Sequence, residues 1–239
     1  MSKSVGIVVD PRTMGQRLST EGLRYFLLKQ GVPQDDSNFA LLKAINAVNA
    51  DMVNNVANLV SRATAPKMNP DQVRPSPESG SALAGKDQAA ASLVHEMNGL
   101  RETVGGLYED IMFYKAIEEL MRFSKQTNAF FQAHAPWKMH PGPELDAVLQ
   151  LTYEATRVLS VLMQPVTPRL ADFCLSRLGV ATESRGLETA QYGEGKREEA
   201  GVRRLGEDEG VYLERLEVPK EPPKQATKDK ERKRRKEGK

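Results

Sequence analysis

The sequence predicts an all-α protein, a bundle of four to five helices with antiparallel neighbours. Three observations predict it. Apolar residues recur at helical spacing through four long segments. Pro, Gly or cap residues punctuate the ends of those segments. With 239 residues, 39% of them hydrophobic, the chain also has enough apolar content for a proper core.

The first eleven residues carry a short apolar run without helical period, and Ser2, Lys3 and Ser4 offer an ammonium and two hydroxyls on an expected loop. That chemistry suits a polyphosphate, although a frayed terminus has the same composition. Ser19 or Thr20 caps a helix over residues 21–30, which Gly31 stops. Asp35, Asp36 or Ser37 then caps the longest element, residues 36–63, around which the chain is organised. Leu41, Ile45, Val48, Met52, Val56 and Leu59 form its apolar stripe.

Asn54, Asn58 and Arg62 follow one another at four-residue steps on the same element, so three hydrogen-bonding side chains line one edge. Amides and a guanidinium at fixed spacing can read base edges, and they can equally be a solvated or neighbour-capped face. Residues 65–85, rich in Pro, Ser, Gly and Asn, read as an exposed flexible linker.

A second long helix starts at Lys86, with Leu93, Met97, Leu100, Val104 and Leu107 on its stripe and Gly105-Gly106 weakening its end. A third carries Phe113, Ile117, Leu120, Ser124, Thr127 and Phe131 and stops at Pro136, next to Trp137, the only tryptophan. The fourth spans residues 144–163, and Thr167-Pro168 opens a short helix that ends at Gly179. Residues 181–207 are polar and Gly-rich. Residues 211–216 read as a short strand or a docking segment, and residues 220–239 as a disordered basic tail.

Net charge is +2, unevenly placed: residues 220–239 hold ten Lys or Arg against four Asp or Glu, leaving the body near −4. Nucleic-acid contact in the body must therefore be local, with long-range attraction left to the tail. Cys174 reads as a reduced core thiol. His95, His134 and His140 have no partners at metal-ligand spacing, so no metal site is assigned. No apolar run reaches membrane-spanning length.

Five landmarks in order resemble one family. Met1-Ser2-Lys3-Ser4 matches the last four letters of the K-M-S-K-S signature of class I aminoacyl-tRNA synthetases, and Val5 to Pro11 resembles the V-G-N-V-V-D-P that follows it, with Ile7 for the usual Asn. Residues 22–28 resemble the family's D-x-L-R-Y-Y-L-L, and residues 49–62 its first anticodon-domain helix. Asn128 with Ala135-Pro136-Trp137-Lys138 matches its N-x-Y…A-P-W-K corner, and Gln164 to Pro168 its late Pro-containing turn. The chain is thus similar to methionyl-tRNA synthetases of the mitochondrial or bacterial type.

The resemblance implies a division into a signature-loop and stem-contact segment (1–35), an anticodon-binding bundle (36–180), an irregular extension (181–219) and the tail (220–239). It implies that Lys3, with Ser2 and Ser4, meets ATP phosphates, and that Asn58, Arg62 and Trp137 recognise the cytosine of the C-A-U anticodon, with Asn54 in support. The partner it implies is the tRNA(Met) anticodon stem-loop. The nucleotide-binding domain and the first lysine of the signature have no counterpart here. The expectation is therefore a C-terminal piece not catalytic by itself, in the mitochondrial matrix or alternatively the cytoplasm. It is a truncation or fragment, a short product initiated at an internal methionine, or a subunit completed by a separate catalytic half. A helical RNA-binding or interaction module with a basic tail is the alternative.

Overall fold

The computed structural model describes residues 9–32, 39–193 and 203–218, and within them every extended regular element is a helix. Eight helices appear among the described residues. The expected Ser2, Lys3 and Ser4 site, the Asp35 to Ser37 cap and the basic tail lie outside them.

Helix α1 (Pro11–Leu18) was not expected. Its signal is local: the Asp10 carboxylate accepts from the backbone N–H of Arg12 at 3.3 Å and Thr13 at 3.1 Å, with proline in the first helical position. A sharp turn at Ser19, whose hydroxyl accepts from Gly22 N at 3.0 Å, starts α2 (Thr20–Gln30).

The organising rod α3 runs over residues 41–63 in three parts. Leu41–Ala47 is α-helical, Val48–Ala57 is π-helical, and Asn58–Ala63 returns to α. The wider π turn is visible where Asn58 N–H reaches the Val53 carbonyl, five residues back. Ile45, Val48, Met52, Val56 and Leu59 are buried as the stripe predicts. Asp51, inside the π stretch, ties the rod to α2 through the Tyr25 hydroxyl at 2.8 Å and the Lys29 ammonium.

Residues 65–85 differ from the exposed linker expected of them. They contain helix α4 (Pro77–Ala84), and Asn69, Arg74 and Gly80 are buried. Asn69 Nδ2 donates to the Val73 carbonyl at 2.8 Å and to the Tyr153 hydroxyl at 3.2 Å. The composition correctly signalled an irregular backbone, but its polar groups find partners on the bundle rather than in water.

Two 22-residue helices follow, α5 (Gln88–Glu109), capped by Asp87, and α6 (Phe113–His134). Gly105 and Gly106 lie inside the last turns of α5, which runs to Glu109 and is capped at Asp110, the position where the sequence places a turn or cap. Helix α7 (Pro143–Met163) is the centre of the molecule, buried on every side from Ala147 to Met163, with α3 to α6 and α8 around it. Its buried charges are paired: the Glu154 carboxylate accepts from Arg74 at 2.8 Å and Arg157 at 2.9 Å. Burial alone would push the Glu154 acid up, but the two guanidiniums hold it below its ordinary value.

Helix α8 (Pro168–Arg177) begins at Thr167 as expected, yet the Thr167 side chain makes no cap bond. Glu21 of α2 takes that place, accepting from Arg169 N at 2.7 Å and Leu170 N at 3.1 Å. Burial raises the Glu21 acid above its ordinary value.

Residues 211–216 dock and do not form a strand. Asn49 on the rod donates to the Leu216 carbonyl at 2.9 Å and accepts from Leu216 N at 2.8 Å, while Tyr212 stacks 5.4 Å from Phe173.

Candidate nucleic-acid interface

The residues that assemble the site come from the end of α3 and the corner after α6. At that corner Ala135 adopts the left-handed conformation, and Pro136–Lys138 makes one 3₁₀ turn. The turn buries Pro136 and turns Trp137 outward, leaving the indole 41% exposed. Behind it, Phe131 is fully buried with its ring centre 6.0 Å from that of Trp137.

Arg62 reaches this corner from the rod. Its guanidinium lies 5.2 Å from the Phe131 ring centre and 5.5 Å from that of Trp137, within cation–π range of both. One of its N–H groups donates to the Gln132 amide oxygen at 3.3 Å. The remaining donors of the planar fork are left for another acceptor.

Arg62 and Trp137 share a cleft of about 390 Å³. Its wall is mostly apolar, from Met68, Pro70, Met139, Pro141 and Leu145, with Lys67 adding a second cation. A stacking surface, an apolar wall and two convergent cations are what a flat polar heterocycle on a phosphate chain needs.

The structure brings together Arg62 and Trp137 of the four expected reader residues. Asn54 and Asn58 are exposed on the same rod, Asn58 one turn before Arg62, but neither lines the cleft. The amide between them, Asn55, is buried. Its side-chain and backbone oxygens accept from Asn128 Nδ2 at 2.7 and 2.9 Å, which fixes the end of the π stretch against α6. No sequence signal marks Gln132, Met68 or Met139 as members of the corner: Met68 and the Gln132–Arg62 bond arrive through long-range packing, whereas Met139 follows Trp137 by two residues.

Elsewhere the ionisable groups look structural. Cys174 is fully buried, and burial pushes its thiol up to about 12. Among the described residues no group of three or more His, Cys, Asp or Glu side chains is placed to hold a metal, and no helix is long and apolar enough to cross a membrane.

Comparison with known proteins gives this geometry a family. A family model for class I tRNA synthetases of the methionine type matches residues 1–64, and one for the anticodon-binding domain of tRNA ligases matches residues 90–236. Mitochondrial methionine–tRNA ligase of Mus musculus is 39% identical over 236 residues, covering 91% of this chain and 40% of the relative. The Homo sapiens mitochondrial enzyme is 37% identical with the same coverage. A crystal structure of Mycobacterium tuberculosis methionyl-tRNA synthetase bound by methionyl-adenylate superposes with a TM-score of 0.76 at 27% identity, covering 89% of this chain and 41% of that one. The chain thus spans about 40% of the length of these relatives. With the anticodon-domain match extending over more than half its length, the chain belongs to the methionyl-tRNA synthetase family and carries the helical anticodon-binding domain of that family.

Proposed function

We propose that this chain recognises the anticodon stem-loop of tRNA(Met), as the anticodon-binding portion of a methionine–tRNA ligase of the mitochondrial matrix. The observation that carries the reading is the Arg62 guanidinium held beside a half-exposed Trp137 at the mouth of an apolar cleft. The compartment follows the mitochondrial relatives.

The first anticodon base stacks on the free part of the indole. Cytosine presents two acceptors, O2 and N3, to the fork of Arg62, which has only donors. Uracil in the same place turns an N3–H donor toward that fork, and the mismatch leaves a buried donor without an acceptor. The Asn58 amide, exposed one turn away, accepts from the cytosine exocyclic amine, with Asn54 supporting the adjacent backbone. Lys67 at the cleft edge meets a neighbouring phosphate.

Catalysis is not assigned to the described residues, which are helical and form no parallel sheet of the kind that carries class I nucleotide chemistry. Adenylate formation requires a nucleotide-binding half, in the same longer protein or as a separate partner. Lys3, with Ser2 and Ser4, would then meet the ATP phosphates. The basic residues 220–239 add attraction for the tRNA backbone, which salt screens.

Titrating dye-labelled anticodon stem-loops with the protein and following fluorescence anisotropy tests the reading, since Trp137 is the only tryptophan and its variants keep no intrinsic indole signal. A C-A-U loop is expected to bind about tenfold or more tighter than one whose first base is uracil, as one good base-edge pairing implies. Trp137→Ala removes most of that preference. Equal affinity of the intact protein for both loops overturns the proposal.

A further inference from the structure

Sulfur sits in nine described side chains with very different access to solvent. Met52, Met97, Met121 and Met163 are buried in the core. Cys174 is buried as well, and its elevated pKa leaves almost no thiolate at neutral pH to react. The half-buried thioethers are Met14, Met68, Met112 and Met139. Of these four, Met68 and Met139 line the cleft shared by Arg62 and Trp137. Both are set at its wall by tight backbone turns, Met68 N donating to the Ala65 carbonyl at 2.8 Å and Met139 N to that of Pro136 at 3.0 Å.

We propose that Met68 and Met139 are an oxidation site that controls the cleft, their conversion to sulfoxides by a peroxide closing it to the anticodon base. The inference rests on the anticodon reading given above.

In the chemical step a thioether sulfur lone pair attacks one oxygen of hydrogen peroxide, and the O–O bond breaks. Sulfur gives up two electrons and keeps that oxygen, while the other leaves as water after proton transfer. A soft apolar wall then carries a strong hydrogen-bond acceptor. The cleft offers that acceptor two cationic side chains, Arg62 and Lys67, beside the indole N–H of Trp137, since its proline and leucine side chains donate nothing. A sulfoxide oxygen that takes an N–H of Arg62 competes for the fork the base needs. One that stays unpaired makes base insertion costly. The change is reversible, because sulfoxide reductases restore the thioether with electrons from a dithiol.

The test treats the full chain with graded hydrogen peroxide, maps sulfoxides by peptide mass spectrometry, and measures C-A-U stem-loop affinity at each step. Affinity is expected to fall about tenfold in proportion to sulfoxide at Met68 and Met139, the size expected for one unpaired polar group in an apolar site. It should return after treatment with both sulfoxide reductases and a dithiol. The Met68→Leu/Met139→Leu variant should show no change between its own untreated and peroxide-treated forms, whereas Met14→Leu/Met112→Leu should lose affinity as the unaltered chain does. Full binding by protein carrying both sulfoxides overturns the proposal, as does an equal loss in the Met68→Leu/Met139→Leu variant. Failure of the anticodon reading is distinguishable, because it appears as absent base preference before any peroxide is added.

Discussion

The guanidinium of Arg62 lies 5.5 Å from the ring centre of Trp137, although 75 residues separate the two in the chain. The contact joins the last turn of α3 to the corner after α6, so the two halves of the cleft arrive as one preformed unit. Replacing Arg62 with Lys keeps the charge but removes the planar fork. Arg62→Lys is therefore expected to lose about tenfold of the preference for cytosine over uracil at the first anticodon base. Its salt-dependent affinity for any stem-loop should change little. Parallel titrations with both loops at two salt concentrations separate these effects.

A second expectation concerns stability alone. Ile111, 68% exposed between α5 and α6, sits at φ 60, a conformation that a β-branched residue adopts only under strain. The surrounding bonds explain why it is held there. Met112 N reaches the Leu107 carbonyl at 2.8 Å and Ile111 N that of Tyr108 at 3.1 Å, the bonding of a helix end that usually places glycine at this position. Ile111→Gly should raise the unfolding free energy by about 1 kcal/mol, read as a higher urea midpoint with an unchanged slope.

What the sequence revealed follows from how local each cause is. The rod's apolar stripe, the start of α8 at Thr167-Pro168 and the stop of α6 before Pro136 rest on neighbours a few residues away, and all were legible. The π stretch at Val48–Ala57 was not, because its wide turns are fixed by the Asn128 amide and the Asp51 partners on other helices. Nor was the cap of α8, since Glu21 lies nearly 150 residues before Arg169. The site divides in the same way. The Asn54, Asn58 and Arg62 row was readable from spacing, whereas the role of Trp137 came from the family resemblance. Met68 and Gln132 have no local signal at all.

The packing of α4 on α7 turns on Gly80. A Cβ built there collides with the amide of Gln150, and Tyr192 is close behind. Gly80→Ala should therefore destabilise the protein by about 1–3 kcal/mol, overriding the gain alanine normally gives inside a helix. If α4 were loosely laid on the bundle, thermal unfolding would show the variant as stable as the parent.

Glu154 gives a prediction with a pH signature. Glu154→Gln leaves Arg74 and Arg157 buried beside a neutral amide, a loss of about 3–5 kcal/mol. Because the folded protein holds this acid below its ordinary value of 4.5, its contribution is complete above that pH and fades as the pH falls through the lower folded value. The difference in stability between parent and variant should accordingly be constant from neutral pH down to about 5 and shrink below 4.5, measured by urea unfolding at each pH.

The last prediction concerns the returning segment, residues 203–218. Its backbone is held near both ends, with the Arg203 carbonyl accepting from Arg74 N at 2.7 Å and Gly206 N donating to the Arg177 carbonyl at 3.1 Å. Leu205 N donates to the Gln72 carbonyl at 2.8 Å, and Leu216 exchanges two bonds with the Asn49 side chain, which here acts as one rung of a ladder. Asn49 is buried in the π stretch of α3, so the rod that carries Arg62 also anchors this segment. Asn49→Ala removes both bonds while leaving the apolar contacts of Tyr212 with Phe173 in place. The cost should be about 1–2 kcal/mol, borne locally as release of the segment. Limited proteolysis is then expected to cut near Leu216 faster in Asn49→Ala than in the parent, with helical circular dichroism unchanged. If cleavage is equally slow in both proteins, the Asn49 rung does not hold the segment.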